Sequence, residues 1–173
     1  DGTHQLTATA TDTAGNTSAA STALSVTVDT ASPAAPGAAD LDAASDSGTS
    51  DTDDLTNNNT PTVSGTSEAG ATIALASDVD GTVGTTTADG SGNWAITTSA
   101  LAEGGQSLTS TATDAAGNTS AASAALAITI DITAPAAPSA PDLATLSDTG
   151  ASDTDDITAN TTPTFAGTAD VGS

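Results

Sequence analysis

The chain has 173 residues, of which 22 are acidic and none is Lys or Arg, so its formal net charge is −22. This charge excludes nucleic acid as a partner, because binding to phosphates needs basic patches, and it argues equally against anionic membrane surfaces. Without cysteine there can be no disulfide, and no apolar run is long enough to span a membrane. Each carboxylate must therefore be solvated, hydrogen-bonded or bound to a cation.

The sequence repeats itself. Residues 1–71 and 103–173 align without a gap at an offset of 102 residues and are identical at about 42 of 71 positions. This period is longer than the roughly 20–50 residues of solenoid repeats and has the size of one small β-sandwich. We therefore predict the end of one repeat in residues 1–30, a complete repeat in 31–131, and the start of another in 132–173.

A Pro-containing segment, residues 29–36, spans the start of the complete repeat and predicts a short, stiff linker. Short alternating segments with Gly-, Asp- and Asn-rich turns then predict an all-β, seven-stranded Ig-like sandwich of about 102 residues. Val63, Ile73, Leu75, Trp94 and Ile96 are predicted to face the core. The predicted strands are 39–43, 60–66, 71–76, 82–87, 94–98, 107–113 and 121–130.

Low aromatic content and high net charge are also typical of disordered chains. The regular alternation, the fixed turn residues and the gap-free repetition favour a folded array instead.

Acidic residues concentrate in loops that should meet at the two ends of the sandwich. The strand order places one set at the N-terminal end, namely Asp29, Glu68, Asp114 and Asn118. The long polar loop 45–59, called the acidic loop below, faces the C-terminal end and the next repeat, which gives Asp46, Asp51, Asp53, Asp54, Asp131 and Asp170. Ca²⁺ takes about 6–8 oxygen ligands from such groups. We therefore predict Ca²⁺ at the junctions between neighbouring repeats of the same chain, where it would fix their angle.

Each of these segments also has a simpler interpretation. Residues 114–118 can form an ordinary turn around Gly117, and the acidic loop can be merely solvated. The segments 78–81 and 89–93 are predicted to be turns rather than ligands, and Trp94 to be a core residue.

Catalysis finds no support in this composition. The chain has no Cys, Lys, Arg or Tyr, and its single histidine, His4, is replaced by Gln106 in the next repeat. A nucleophile–base pair of the Ser-His-Asp kind needs a buried, oriented histidine. We therefore expect a protein that is not an enzyme.

Four motifs together resemble the tandem bacterial Ig-like repeats of giant calcium-binding surface adhesins of the RTX or biofilm-associated type. They are Asp-x-x-x-Pro at 29–33, Ser-Asp-Ser-Gly-Thr-Ser-Asp-Thr-Asp-Asp at 45–54, Asn-Trp-Ala-Ile-Thr at 93–97 and Ala-Thr-Asp-Ala-Ala-Gly-Asn-Thr-Ser at 112–120. The resemblance implies a secreted protein at the bacterial cell surface whose repeats, rigidified by calcium, project an adhesive domain. It also implies a cell-surface or matrix ligand bound by domains outside this segment.

The alternative is a binding module that captures surface polysaccharide or ice through Thr-rich faces or loops. This alternative predicts a flat aromatic surface or a regular array of threonines on one specialised face.

Overall fold

The computed structural model describes residues 1–170, which fall into two compact units. The first unit is Asp1–Ile132 and the second begins at Thr133. Each unit is described by itself.

The complete repeat in the first unit is a sandwich of two β-sheets. In chain order its strands are β3 (Asp40–Leu41), β4 (Leu55–Thr56), β5 (Thr62–Thr66), β6 (Thr72–Ser77), β7 (Gly81–Thr87), β8 (Asn93–Thr97), β9 (Gly104–Thr113) and β10 (Leu126–Ile130). One sheet has the order β4-β10-β9-β6-β7 and the other has the order β3-β5-β8. Every neighbouring pair is antiparallel except β4 and β10, which run parallel. The all-β sandwich expected from the sequence is confirmed.

Residues 31–132, all of them described, contain eight strands rather than the predicted seven. The additional strand is β4, which lies inside the segment expected to be loop throughout. It forms because the main-chain nitrogens of Thr129 and Asp131 donate to the carbonyls of Asp54 and Thr56 at 2.8 and 2.9 Å. Thr56 is buried, and its hydroxyl donates to the Ser45 carbonyl at 2.5 Å.

The last strand of the repeat also differs from the prediction, because it begins at Leu126 rather than at 121. Serine hydroxyls replace part of the regular strand pairing before it. Ser120 donates its main-chain N–H to the Ala112 carbonyl at 2.8 Å, and its Oγ accepts from the Ala112 N–H at 3.0 Å. Ser123 makes the same pair of bonds with Ser110, at 2.8 and 3.0 Å. These residues therefore stay beside β9 without forming a regular ladder.

The core follows the period-two alternation of the strands. Val63, Ile73, Leu75, Trp94 and Ile96 are all buried, as predicted. They are joined by Leu108, Ile128 and Ile130 from β9 and β10. Each such side chain contributes about 1.5–3 kcal/mol on full burial, so a core with so few large residues tolerates little loss.

The other strands belong to the partial repeats. In the first unit β1 (Gly2–Leu6) pairs antiparallel with β2 (Leu24–Val28). Leu6 is 55% exposed there, whereas Leu108, its equivalent in the complete repeat, is fully buried. In the second unit β11 (Asp142–Leu143) pairs antiparallel with β12 (Phe165–Ala166).

The β7–β8 hairpin turn is organised by one carboxylate. Asp89 Oδ1 accepts from the main-chain N–H groups of Ser91 and Asn93 at 2.8 and 2.9 Å. These donors, that of Asn93 most strongly, hold the pKa of Asp89 below its ordinary value. The predicted hairpin is therefore present, and its aspartate is used within the turn.

The packing of Trp94 requires a glycine opposite it. Gly65 pairs in register with Trp94, and a Cβ atom at position 65 would lie 2.6 Å from the ring carbon Cζ2. We expect Gly65→Ala to destabilise the repeat by about 1–3 kcal/mol through overpacking. Urea denaturation followed by the fluorescence of Trp94, the only tryptophan, measures this. Gly90→Ala is the matched control, since a Cβ atom at position 90 would have nothing within 4 Å of it. Equal midpoints for the two variants would contradict the packing argument.

Asp89 should make the stability of the repeat depend on pH. Because its folded-state pKa is depressed, the ionised carboxylate stabilises the fold above an unfolded-state pKa of about 3.9. That contribution is lost as the pH falls through the folded-state pKa. Asp89→Asn should therefore lower the melting midpoint at pH 7, and the difference from wild type should shrink as the pH falls below the unfolded-state pKa of about 3.9. Asp51→Asn in chelator is the control, and a difference for Asp89→Asn that does not change with pH would refute this interpretation.

Candidate metal centres

The N-terminal end of the complete repeat carries an acidic cleft. Asp29 from the linker, Glu68 from the β5–β6 turn and Asp114 from the segment after β9 line one cavity of about 330 Å³. We call this group of three carboxylates the N-terminal cleft. The structure therefore brings together three of the four residues predicted for this end, and the fourth, Asn118, is hydrogen-bonded to two of them.

The segment 114–118 forms the turn that was the simpler interpretation. Asp114 Oδ1 accepts from the N–H groups of Ala116 and Asn118 at 2.8 and 2.9 Å, and its Oδ2 accepts from Asn118 Nδ2 at 2.8 Å. The Asn118 side chain contributes most to a pKa of Asp114 below the ordinary value. A carboxylate has about four acceptor positions, so these three bonds do not exhaust it.

Asn118 also connects the turn to the linker. Its Nδ2 donates to the main-chain carbonyl of Asp29 at 3.1 Å. The amide nitrogen is thus committed to Asp114 and Asp29, which leaves Oδ1 as the acceptor of this side chain. In the preceding partial repeat Asn16 makes the same side-chain bond to Asp12, at 2.9 Å.

At the other end, Asp46 occupies an unusual environment. It is only 7% exposed, and one oxygen, Oδ2, accepts from the main-chain N–H of Asp54 at 3.2 Å. Its second oxygen, Oδ1, is buried and has no hydrogen-bond partner. A cation would satisfy this oxygen, so the donor set of the acidic loop fits a metal.

Asp54 lies against the same carboxylate in a left-handed conformation, with φ of 59°. Desolvation raises the pKa of Asp54, and the charges of Asp46, Asp40 and Asp53 raise it further, in that order. Any stability linked to its protonation is present below the unfolded-state pKa and is lost as the pH rises through the folded-state pKa. At neutral pH the loop therefore holds negative charges that repel one another.

Three other aspartates belong to this region of the repeat, and one of them, Asp40, was not among the predicted ligands. Asp40 was assigned only to the first strand, although its charge acts on Asp54. Asp51 and Asp53 are exposed, and Asp53 Oδ1 accepts from the Leu55 N–H at 3.3 Å. Asp40 could have been recognised from its recurrence as Asp142.

Two further predicted ligands are Asp131 and Asp170. Asp131 lines a smaller cavity of about 180 Å³ with Ser47, Gly48, Leu55, Thr56 and Asn57. Asp170 belongs to the second unit, where its Oδ2 accepts from the Ala136 N–H at 2.7 Å. Within residues 1–170, no three His, Cys, Asp or Glu side chains form a ready-made metal-binding group. Calcium at these clusters remains a prediction.

The segment 78–81 and Trp94 were expected to have structural roles, and their contacts agree with this. Asp78 Oδ1 accepts from the Ser107 N–H at 2.8 Å and Asp80 Oδ2 from the Ala102 N–H at 3.0 Å. Trp94 is 4% exposed and belongs to the core, whereas His4 is exposed on β1. No helix among residues 1–170 has the length and apolar character needed to cross a membrane.

Comparison with known proteins gives one family and two similar structures. No curated protein matches the chain. The chain is similar to a BSP domain of a biofilm-associated protein, with 21% identity and a TM-score of 0.41 over 77% of this chain and 20% of that one. It is also similar to a tetra-tandem repeat in the extending region of a large adhesion protein, with 22% identity and a TM-score of 0.42 over 83% of this chain and 34% of that one. This chain thus spans about a fifth of the length of the first of these two chains and about a third of the second.

The family profile for the bacterial Ig-like domain matches residues 1–30 and 33–132, which is more than half of the 173 residues. The two matched segments lie in successive repeats. The chain belongs to the bacterial Ig-like domain family.

Proposed function

We propose that this chain is an extender segment of a large secreted bacterial surface adhesin, and that Ca²⁺ bound between repeats stiffens it. The observation that carries the proposal is the N-terminal cleft, where Asp29 of the linker meets Glu68 and Asp114 of the following repeat. The role is mechanical: the array spans a distance and resists bending. The ten residues of β9 alone extend about 33 Å at ~3.3 Å per residue, so length grows with repeat number.

The linker itself supports a stiff junction. Pro33, Pro36 and Ala39 are buried, at a spacing of three residues, and Gly37 donates its N–H to the Thr66 carbonyl at 2.9 Å. A proline-rich extended segment has about three residues per turn, so this spacing places one side of it against the repeat that follows. The free part of the linker is thereby reduced to the few residues around Asp29.

These few residues are held from both sides. Thr30 donates its N–H and its hydroxyl to Asp1 Oδ1 at 3.0 and 2.7 Å. Asp29 Oδ1 accepts from the Ala31 N–H at 3.0 Å, and its carbonyl accepts from Asn118. Hydrogen bonds therefore already bias the junction towards one geometry.

The negative charge of the N-terminal cleft opposes a fixed junction. Three acidic residues line one cleft, and the chain has no lysine or arginine to neutralise them. Asp29, Glu68 and Asp114 would hold Ca²⁺, with the Asn118 oxygen and main-chain carbonyls as further oxygen donors. A bound ion would supply positive charge that offsets the repulsion among these acidic residues. An extracellular module of this kind typically binds calcium with a Kd of about 0.1–1 mM.

The alternative of a glycan- or ice-binding module rests on the Thr-rich strands. Some of these hydroxyls bond to each other, as Thr62 and Thr97 do at 2.9 Å across β5 and β8. Trp94 lies in the core and presents no aromatic platform. We therefore favour the extender function.

Spin-label distances across the junction test the calcium proposal. The chain has no cysteine, so Thr22→Cys and Thr85→Cys give two unique labels, one on each side of Asp29. We expect a narrow distance distribution in millimolar CaCl₂ and a broad one in EDTA, because loss of the ion leaves the carboxylates repelling. NaCl at equal ionic strength controls for simple screening.

Two variants test whether the narrowing of the distance distribution depends on the N-terminal cleft. Asp29→Asn with Glu68→Gln should remove the narrowing at the same calcium concentration. Asp42→Asn, an exposed carboxylate that does not line the cleft, should behave as wild type. Distributions of equal width in calcium and EDTA for the wild-type chain would rule out calcium stiffening at this junction.

A further inference from the structure

The chain contains four Asn-x-Ser/Thr sequences, the pattern whose asparagine side chain accepts an N-linked sugar. They begin at Asn16, Asn58, Asn118 and Asn160, and the first and third, like the second and fourth, are equivalent positions of successive repeats. A pattern this short is frequent by chance in a chain rich in threonine and serine, so the pattern alone decides nothing. The four sequences differ in what the asparagine amide nitrogen and the hydroxyl two residues later are bonded to.

At Asn118 both groups are already used by the fold. Its Nδ2 donates to Asp114 Oδ2 at 2.8 Å and to the main-chain carbonyl of Asp29 at 3.1 Å. The hydroxyl of Ser120, two residues later, donates to the Ala121 carbonyl at 2.7 Å. An amide nitrogen carries only two hydrogens, so a sugar on this nitrogen would cost one of its two hydrogen bonds.

Asn16, the equivalent residue of the preceding repeat, is held in a similar way. Its Nδ2 donates to Asp12 Oδ2 at 2.9 Å, and the Ser18 hydroxyl donates to the Ala19 carbonyl at 2.9 Å. In both sequences the amide nitrogen is bonded to a carboxylate, and the serine hydroxyl is bonded to a backbone carbonyl rather than to the amide. Neither sequence therefore presents a free acceptor nitrogen while the chain is folded.

Asn58 and Asn160 are arranged in the opposite way. Asn58 Oδ1 accepts from the main-chain N–H of Thr60 at 3.0 Å and from its hydroxyl at 3.2 Å. Asn160 Oδ1 accepts from the same two groups of Thr162, at 3.0 and 3.3 Å. Within residues 1–170, no hydrogen bond uses Nδ2 of either asparagine, and neither nitrogen belongs to the buried atoms that lack a partner, so both are open to solvent. The oxygen holds the turn, and the nitrogen is left available.

We propose that Asn58 and Asn160 are acceptor sites for an N-linked hexose, which a glycosyltransferase takes from a nucleoside diphosphate sugar. Nδ2 forms a bond to the anomeric carbon while the bond from that carbon to the diphosphate oxygen breaks. The bonding electron pair leaves with the nucleoside diphosphate, and one amide proton passes to a base of the transferase. The hydroxyl of Thr60 or Thr162 withdraws electron density from the amide oxygen, which makes the proton on Nδ2 easier to remove.

The turns tolerate a sugar at these two positions. The hydrogen bonds from Thr60 and Thr162 end on Oδ1, which the reaction does not touch, so both threonines keep their partners. Pro61 and Pro163 follow the two threonines and restrict them to extended conformations, which keeps each turn in place. A hexose carries no charge and therefore adds nothing to the repulsion along the chain. These acceptor sites require neither calcium nor the extender role.

Glycosylation of the folded full chain tests the proposal. The chain is incubated with UDP-glucose and a soluble N-glucosyltransferase that accepts Asn-x-Ser/Thr. It is then cleaved at aspartate, because it lacks the Lys and Arg that trypsin needs, and the peptides are analysed by mass spectrometry. We expect Asn58 and Asn160 to gain glucose at least about tenfold faster than Asn16 and Asn118, since at the latter pair the transferase must first break a hydrogen bond from the amide to a carboxylate.

Short synthetic peptides covering the four sequences, which lack these tertiary contacts, measure the preference of the enzyme for sequence alone and should differ less. Thr60→Ala should abolish glucose at Asn58. Asn57→Ala should leave it unchanged, because Ala159 stands at this position in the next repeat. Circular dichroism checks that both variants fold. Equal rates at all four asparagines in the folded chain would overturn the proposal, as would peptides or a folded chain that take no glucose at Asn58 and Asn160.

Discussion

Repulsion among 22 carboxylates, with no lysine or arginine to neutralise them, is the constraint on which this structure depends. In three turns of the chain, N–H donors offset this charge locally. Asp12, Asp89 and Asp114 each accept from main-chain and Asn donors two to four residues ahead, and these bonds lower the pKa of each carboxyl. These aspartates are stable as anions at neutral pH because the turn itself supplies their partners.

At two places N–H donors leave part of the negative charge without a partner, and both are where we infer cations. In the N-terminal cleft three carboxylates from three segments share one cavity. In the acidic loop Asp46 is enclosed with one unsatisfied oxygen beside an Asp54 whose pKa is raised. The first place lies where the linker meets the complete repeat, and the second lies in the acidic loop of that repeat.

Much of the fold was predictable, because alternation of apolar and polar residues in a short strand indicates that one face of the strand is buried. Val63, Ile73 and Leu75 mark buried faces that the structure confirms. Strand β4 was not predictable, since two residues carry no period and its pairing with β10 is non-local. The linker was recognised from its prolines, but the burial of Pro33 and Pro36 depends on a surface formed only in the folded repeat.

Part of the site was also predictable from the sequence. The topology of a sandwich brings Asp29, Glu68 and Asp114 to one end, as expected. The burial of Asp46 and the proximity of Asp40 arise from the path of a long loop, which sequence spacing does not determine. The turn at 114–118 shows that an aspartate can organise a loop and still line the cleft.

The most direct measurement is an anomalous difference map from crystals of the chain grown in calcium. The account predicts peaks within about 2.3–2.6 Å of carboxylate oxygens in the N-terminal cleft and at Asp46. A well-ordered map with no anomalous peak at either place, and with Asp29, Glu68 and Asp114 surrounded by water, would contradict it.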